Sequence, residues 1–282
     1  MIDSEICYIN PVKLTENVVR ITANNASVMT GPGTNTYAVG KEKVAIIDPG
    51  PILTEHTDKL IEHFRDKIKW VVVTHTHRDH SPAAQILAEE TGALLIGNTI
   101  EDDGYQDTSF KSVNELKDDD TIPTDVASIK AITTPGHVNN HVCFLVEEDK
   151  LLLTGDHMMN GSTVVIVPPA GDMKKYIASL KKLLAYDFDS VAPGHGTTIK
   201  NPKKEIIKLI EHRLKRENKV VTALKSHANS SLADLTPIVY DDVDKNLHEW
   251  ASLSLMAHLI KLKDDGVVYK ENSLWKLKTK AL

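Results

Sequence analysis

The sequence predicts a mixed α and β fold, with one large domain followed by a smaller helical domain. Up to about Asn201, short runs rich in β-branched residues alternate with Gly, Pro, Asn and Asp, the pattern of strands separated by turns. Two segments in this part have the spacing of amphipathic helices. After Pro202 the strand pattern gives way to long helical segments. We therefore expect two domains, 1–201 and 202–282.

The predicted strands of the large domain are short and mostly apolar. Three consecutive valines with no polar alternation make Trp70–Thr74 typical of a strand buried on both faces. The others follow the same pattern of apolar runs bounded by turn residues. The full set is Val18–Thr22, Thr36–Val39, Val44–Ile47, Trp70–Thr74, Val126–Ile132, Val142–Val146, Leu151–Thr154 and Val191–Ala192.

Two helices are predicted between these strands. Ser81 as N-cap and Pro82 at the first helical position begin one of them, and Gly92 ends it. The second covers Met173–Tyr186 and has apolar residues at helical spacing on one face. Because the first helix directly follows Trp70–Thr74, the residues in between form a strand-to-helix loop.

The small domain is predicted to be a winged helix. Helical spacing covers Lys204–Ser226, Ser231–Tyr240 and Asn246–Lys263. Two short extended segments, Val267–Lys270 and Leu274–Lys278, then form a hairpin. Three helices followed by a hairpin are the elements of a winged helix.

Charge and composition exclude several function classes. The chain has 282 residues, a formal net charge of −6 and a pI near 6.1, which does not indicate a nucleic-acid or membrane-surface protein. From Pro202 onward there are 15 Lys and Arg against 11 Asp and Glu, so this part is basic while the rest is acidic.

Only Cys7 and Cys143 occur, which favours a reducing compartment. Met1–Glu5 has no signal-peptide character, no segment approaches the roughly 20 apolar residues of a membrane span, and we expect a cytoplasmic protein.

The segment Thr74–His80 carries three histidines and an aspartate directly after a predicted strand. His75 and His77 are two residues apart on an extended segment, so their side chains point to the same side. Neutral imidazoles and carboxylates that converge from rigid supports are what a divalent metal requires. Assembling four such residues for packing alone would be costly. This loop therefore predicts a hydrolytic centre with two metal ions.

Three further ligand-type residues, His137, Asp156 and His195, each follow a glycine. Apolar runs lie close to each of them, so rigid strands are expected to aim them at one point. Six other histidines are interpreted as structural or surface residues: His56, His63, His212, His227, His248 and His258.

These residues resemble the metallo-β-lactamase superfamily, whose signature His-x-His-x-Asp-His corresponds to His75–His80. The resemblance implies an α+β fold, a four-layer αββα sandwich with the site at one edge between two sheets, and a small C-terminal winged-helix-like domain. It implies one metal held by His75, His77 and His137, and a second held by Asp79, His80 and His195, with Asp156 bridging the two.

The implied chemistry is hydrolysis by a metal-activated hydroxide. Two cations that share a water lower its pKa toward ~7 and polarise the oxygen of the attacked group. Asp79 and Asp156 are the expected catalytic carboxylates, Asp79 as a ligand that also orients the hydroxide. Asp48 matches the family's strand-end aspartate and is expected to orient a ligand. Zinc is the expected metal for a nitrogen-rich site, and iron and manganese remain open.

The resemblance is more specific to the lactamase-beta-2 group. Met29–Tyr37, Thr74–Pro82 and a tail that ends in Trp275–Lys276 carry it, while Thr134, Val138 and His157 depart from the usual pattern. His77 stands where redox relatives have Glu, and the 38 residues between Asp156 and His195 leave no room for the domain that RNA- and DNA-processing relatives insert there. The group includes an animal mitochondrial endoribonuclease.

Three functions follow from this resemblance. The first is an endoribonuclease that cleaves phosphodiesters of single-stranded RNA. The second is an acyl hydrolase acting on a thioester or lactone, such as a glyoxalase-II-like enzyme or an acyl-carrier thioesterase, with incidental β-lactam hydrolysis. The third is a winged-helix binding protein with a vestigial metal site. The expected partners are RNA or a small acyl substrate and a second copy in a homodimer, with no membrane; Tyr37, Ser162, Thr163 and Trp275 are the candidate substrate contacts.

Overall fold

The computed structural model describes residues 6–278, which divide into two compact units. The predicted boundary at residues 201 and 202 stays a prediction, because the second unit also takes up two segments from the middle of the chain. The first unit contains the chain up to Thr134, Asn140–Val164 and Ala185–Pro202, and the second contains Pro135–Asn139, Val165–Leu184 and the chain from Lys203 onward.

A six-stranded sheet forms one half of the first unit. The strands lie side by side in the order of the sequence. All neighbouring pairs are antiparallel except β4 with β5 and β5 with β6, which are parallel. They are β1 (Val12–Lys13), β2 (Val18–Thr22), β3 (Asn35–Val39), β4 (Val44–Ile47), β5 (Ile68–Val72) and β6 (Leu94–Ile96).

A five-stranded sheet forms the other half, in the order β11-β10-β9-β8-β7. Only β10 and β11 pair in parallel. Two of its central strands, β9 and β10, are fully buried and mostly apolar, whereas β8 alternates polar and apolar residues. The strands are β7 (Thr121–Pro123), β8 (Ser128–Thr133), β9 (Val142–Val146), β10 (Leu151–Gly155) and β11 (Ser190–Pro193).

The main core of the first unit lies between the two sheets. Ile47 and Val72 of one sheet and Phe144 and Leu153 of the other belong to the same buried cluster. A second cluster covers the opposite face of the six-stranded sheet, under the helices α1 (Thr54–Phe64) and α2 (Ala83–Thr91). Both faces of that sheet are thus removed from water, which explains why β4 contains no exposed residue.

The second unit contains four helices and a hairpin, and Trp275 and Leu255 lie in its apolar core. The side chain of Asp172 accepts a hydrogen bond at the start of the first helix, and Ser231 forms a capping box at the start of the third. No helix in residues 6–278 has the length and apolar character needed to cross a bilayer. The elements are α3 (Met173–Leu183), α4 (Pro202–Ser226), α5 (Leu232–Val239), α6 (His248–Asp264), β12 (Val268–Glu271) and β13 (Leu274–Leu277).

The α+β class is confirmed, and two local predictions were wrong. Helix α1 was not predicted, because its buried first turn carries the polar residues His56 and Thr57 instead of apolar ones. Ser81 is not the cap of α2: Pro82 occupies that position and makes no side-chain cap. The hydroxyl of Ser81 donates instead to Oδ2 of Asp107 at 2.7 Å.

Candidate metal centre

The candidate ligands of the first unit follow the ends of neighbouring strands. The metal loop, residues 74–80, connects β5 to α2. Asp156 comes directly after β10, and His195 lies two residues after β11. Both strand pairs, β4 with β5 and β10 with β11, are parallel, so their carboxyl ends lie together at one edge of each sheet. The two sheets therefore direct these side chains to a common edge.

Two imidazoles and two carboxylates converge at this edge. Nε2 of His195 lies 3.1 Å from Oδ2 of Asp79 and 3.4 Å from Oδ1 of Asp156. Nε2 of His80 lies 3.4 Å from the same two oxygens. Among the described residues, Nε2 of His80 finds no hydrogen-bond partner although it is buried. Nitrogen and oxygen atoms arranged in this way are suited to surround a divalent metal ion.

A second group of candidate ligands adjoins the first. His75 offers a ring nitrogen that lies within 4.8 Å of ligand atoms of His80 and Asp156, and Nε2 of His75 lies 2.9 Å from Nδ1 of His77. His80 and Asp156 belong to both groups. Asp156 therefore lies where its carboxylate is close to the ligand atoms of each group. This arrangement fits two neighbouring metal positions, as the resemblance implied.

The far side of each imidazole is held by an oxygen acceptor. Nδ1 of His80 donates to Oδ2 of Asp48 at 3.0 Å, and Nδ1 of His195 donates to the carbonyl of Gly33 at 3.2 Å. Nδ1 of His75 contacts Oγ1 of Thr74 at 2.9 Å, a hydroxyl that itself donates to Asp48. With Nδ1 protonated in each ring, Nε2 carries the lone pair that a metal requires.

Asp48 connects several parts of the centre. Its carboxylate accepts hydrogen bonds from the backbone N–H and the hydroxyl of Thr74 at 2.7 and 2.8 Å, besides the one from His80. Asp48 has φ of +52°, a conformation uncommon for residues other than glycine. Three hydrogen bonds hold this carboxylate in place, as expected for a residue that orients metal ligands.

The charges of the centre favour protonation of two imidazoles when no metal balances the carboxylates. Burial lowers the pKa of His195, but the neighbouring Asp156 charge outweighs it and raises the pKa to about 9. Burial also opposes protonation of His80, and the charge of Asp79 raises its pKa well above the ordinary value. By contrast, burial and the neighbouring His80 lower the pKa of His75. A divalent cation supplies the positive charge that these carboxylates otherwise take up as protons.

His137 belongs to the second unit, in the segment Pro135–Asn139. Its Nδ1 donates to the carbonyl of Val165 at 2.7 Å. A carbonyl oxygen can only accept, so His137 has the same tautomer as His80 and His195. Its role as a metal ligand stays a prediction.

Two predicted substrate contacts are buried instead. Tyr37 is 1 % exposed, packs in the core between the sheets and donates its hydroxyl to the carbonyl of Pro193. Trp275 is 2 % exposed and lies in the core of the second unit, because β13 turns it inward. Neither side chain has a surface on which a substrate could stack. Ser162 and Thr163 are exposed and stay predictions.

One buried histidine of the centre was not predicted. His141 is 1 % exposed, and its ring centroid lies 5.1 Å from that of His75. The only signal in the sequence is its position, immediately before the apolar strand β9. A histidine at the end of such a strand gives no indication of its long-range partners, which only the fold brings into contact.

A strongly acidic segment lies against the metal loop. Residues 99–120 pair with it through Gln106, which bridges to His77, and through the N–H of Asp107, which donates to the carbonyl of Thr76 at 2.6 Å. The segment has only two basic residues, Lys111 and Lys117. Its eight carboxylates are Glu101, Asp102, Asp103, Asp107, Glu115, Asp118, Asp119 and Asp120.

Comparisons with known proteins agree with this geometry. Residues 29–195 match the metallo-beta-lactamase superfamily, and residues 231–275 match the beta-lactamase associated winged helix domain. A beta-lactamase-like protein 2 homolog of Caenorhabditis elegans is 30% identical over 93% of this chain and 90% of its own length. The thioesterase pkgB of Emericella nidulans is 32% identical over 77% of this chain and 62% of its own length.

A solved structure shows the same fold. A beta-lactamase domain protein from Burkholderia ambifaria superposes with a TM-score of 0.82 at 18% sequence identity, covering 98% of this chain and 96% of that one. At that identity the likeness concerns the fold alone. The sequence matches extend over more than half of the chain and include the metal loop. The chain therefore belongs to the metallo-β-lactamase superfamily, as a hydrolase that combines this fold with the associated winged helix domain.

Proposed function

We propose that this protein is a metal-dependent acyl hydrolase that cleaves a thioester or ester with an uncharged leaving group. The observation that carries the proposal is the charge of residues 99–120, a segment with eight carboxylates and two lysines that contacts the metal loop through Gln106 and Asp107. Arg78 adds one positive charge here, since its Nε donates to the carbonyl of Gln106 at 3.3 Å. The net charge of the region remains negative. Such a field repels polyanions and does not hinder a neutral acyl substrate.

The relatives support the same choice. One of them, 32% identical, is named a thioesterase. A thioester and an ester share the carbonyl carbon as the point of attack, so one centre serves both. The proposal extends the relative's activity to this chain and adds a preference for uncharged substrates, which follows from the acidic segment and not from the relative.

The residues of the centre divide the work between them. Bound divalent ions supply a water of lowered pKa and polarise the substrate carbonyl. The side chain of Asp79 is 30% exposed and that of Asp156 is 10% exposed. Asp79 is therefore the carboxylate that can reach the attacking water and accept its hydrogen bond. Asp156 would be a ligand at the metal centre, while Asp48 and Gly33 accept hydrogen bonds from His80 and His195 and keep these imidazoles in the tautomer that can bind metal.

The endoribonuclease prediction has weaker support than the acyl-hydrolase proposal. RNA would approach a centre whose neighbouring segment is acidic, and Trp275 is buried where it cannot stack a base. Lys276 of the same hairpin forms an ion pair with Glu271. Lys280, another lysine of the C-terminal segment, lies outside the described residues. The binding-protein prediction is weaker still, because the candidate ligands keep the orientation that a metal requires.

Parallel assays of one zinc-loaded preparation test the proposal. The substrates are an uncharged N-acetylcysteamine thioester, a lactone, a cephalosporin and an unstructured RNA oligonucleotide. We expect release of the thiol from the thioester and intact RNA. In the His77→Ala protein we expect the thioesterase rate to fall at least a hundredfold, whereas the exposed His63→Ala serves as the matched control and keeps the wild-type rate.

Two results would contradict the proposal. RNA cleavage without thiol release would make the protein a phosphodiesterase, and no turnover of any of the four substrates would exclude the acyl hydrolase. Inductively coupled plasma analysis of the His77→Ala protein shows at the same time whether lost activity accompanies lost metal.

A further inference from the structure

His141 lies beside the proposed ligands without being one of them. Its Nε2 atom accepts a hydrogen bond from the backbone N–H of Asp156 at 3.2 Å. A backbone N–H can only donate, so Nε2 carries the lone pair and Nδ1 carries the proton. The ring thus presents an acceptor to the backbone of the residue that is proposed to bridge the two metal positions.

A hydroxyl holds the opposite side of the ring. Nδ1 of His141 lies 2.9 Å from Oγ1 of Thr134 and donates to it, and this hydroxyl directs its own hydrogen to Sγ of Cys143 at 3.2 Å. The thiol of Cys143 lies 3.8 Å from the carbonyl oxygen of Thr154, which only accepts. All four residues are buried. Because the carbonyl of Thr154 can only accept, the thiol of Cys143 donates to it, the hydroxyl of Thr134 donates to the thiol, and Nδ1 of His141 donates to the hydroxyl. This order of donors keeps the imidazole in one tautomer.

The chain of hydrogen bonds closes around Gly155. It begins at the N–H of Asp156 and ends at the carbonyl of Thr154, the two neighbours of this glycine. Gly155 has φ of +44°, and a Cβ atom there would lie 2.4 Å from Oγ1 of Thr74 and 2.9 Å from Nε2 of His141. The turn that carries Asp156 out of β10 is thus held tightly between Thr74 and His141.

We propose that His141 is a positioning residue that sets the bridging carboxylate of Asp156 through the backbone of that residue. It does so as a neutral acceptor whose orientation Thr134 maintains. Hydrogen bonds behind metal ligands typically contribute about 10–100-fold to metal affinity or activity. The inference rests on the metal centre of the proposed function and not on the acyl substrate.

Zinc affinity and the visible spectrum of the cobalt-loaded protein test this role in the full-length chain. His141→Gln places an amide oxygen near the position of Nε2 and keeps the acceptor, whereas His141→Leu removes it. We expect His141→Leu to bind zinc about 10–100-fold more weakly, with an altered cobalt spectrum, and His141→Gln to remain within about threefold of the wild type. In His141→Leu, kcat falls more than KM rises, because Asp156 acts on the metals and not on substrate binding.

His258→Leu is the matched control, since it removes a fully buried imidazole of the second unit. It is expected to lower the unfolding temperature and leave zinc affinity unchanged. A folded His141→Leu protein with wild-type zinc affinity and cobalt spectrum overturns the proposal. So does a His141→Gln protein as weak as His141→Leu, since the ring's volume and not its acceptor would then matter.

A third variant covers the case in which His141→Leu does not fold. His141→Asn has a shorter amide that reaches Thr134 and not the N–H of Asp156, so it is expected to bind zinc as weakly as predicted for His141→Leu. Wild-type zinc affinity in His141→Asn overturns the proposal. Because zinc affinity is measured without substrate, failure of the acyl-hydrolase assignment is recognised separately, by the turnover assays alone.

Discussion

A single histidine of α1 makes the first unit sensitive to acid. His56 is 3% exposed, and its Nε2 donates to Oγ1 of Thr36 at 2.7 Å, since that hydroxyl itself donates to the carbonyl of Asp48. Among residues 6–278, Nδ1 of His56 finds no hydrogen-bond partner. A proton added to Nδ1 would therefore bring an unsatisfied charge into the interior, and burial lowers the pKa of His56 to about 4.

The sign of the effect follows from this lowered pKa. Between pH 6.5 and 4 the unfolded chain binds a proton that the native His56 does not, so the free energy of unfolding falls as pH falls through that window. From pH 7 to pH 5 the loss is about 2 kcal/mol. His56→Gln keeps the donor to Thr36 and does not titrate, so in urea unfolding it should lose about 2 kcal/mol less than the wild type over this interval.

The exposed His63 of the same helix provides the control for this prediction. His63→Gln should show the wild-type dependence of unfolding free energy on pH. Identical pH dependence in His56→Gln and the wild type would mean that the buried imidazole accepts its proton without cost.

Residue identity alone was sufficient to predict the candidate ligands of the metal loop, because their spacing within seven residues has a direct chemical meaning. It was not sufficient for His141 and Thr134. Their contacts with Asp156 and Cys143 depend on how β8, β9 and β10 pair, and each of these residue types has many ordinary roles in a core. Tyr37 belonged to a motif of the family, yet its side chain points into the core.

At the scale of elements, the turn after β11 has to accommodate the centre in very little space. A Cβ atom at Gly194 would lie 2.6 Å from Oδ1 of Asp156 and 2.8 Å from Cε1 of His80. Gly194→Ala must therefore displace the carboxylate or the imidazole. We expect at least about tenfold weaker zinc binding in a protein that remains folded, measured by competition with a chromophoric chelator.

Gly196→Ala, two residues further along the same turn, is the matched control. Its Cβ atom would meet nothing within 4 Å, but Gly196 has φ of +77°. This substitution should cost about 1 kcal/mol of stability through backbone strain and leave zinc affinity unchanged. Wild-type zinc affinity in Gly194→Ala would show that the centre can move to admit a methyl group.

The strand predictions were correct where apolar segments of the sequence are also buried in the structure. Val18–Thr22, Val44–Ile47 and Val142–Val146 form strands with the predicted bounds. The last two are uninterrupted apolar runs, which have no alternative place in a two-sheet core. Helix α1 and the short strands β1, β6 and β7 were missed. The burial of α1, β6 and β7 depends on neighbours supplied by other parts of the chain, and strands of two or three residues are too short to show a period.

For the molecule as a whole, charge is distributed unevenly between the two parts of the sequence. The formal net charge is −6, although the chain from Pro202 onward carries 15 basic and 11 acidic residues. The excess of carboxylates therefore lies in the part of the sequence that contains the metal loop. Composition predicted this asymmetry, but it did not predict that residues 99–120 lie against the metal loop, since that placement depends on the pairing of Gln106 with His77.

This uneven charge predicts how the enzyme discriminates between thioesters. Glu101→Gln combined with Asp102→Asn removes two negative charges from the acidic segment, and Asn keeps the oxygen that accepts from the N–H of Gly104. For a coenzyme A thioester, which carries phosphates, we expect kcat/KM to rise several-fold at low ionic strength. The rise should disappear near 1 M salt, where the screening length is about 3 Å. For the uncharged N-acetylcysteamine thioester, kcat/KM should not change.

Glu148→Gln combined with Asp189→Asn removes the same charge at the opposite end of the five-stranded sheet. These residues precede β10 and β11, whereas the candidate ligands follow those strands, so about 16 Å of strand separates the two ends. Compared at 0.1 M salt, this control should leave both rates unchanged, because the distance exceeds the screening length of about 10 Å at that ionic strength. An equal rise in kcat/KM for the coenzyme A thioester in both double variants would attribute the effect to net charge. No rise in either variant would mean that the acidic segment does not select against anionic substrates.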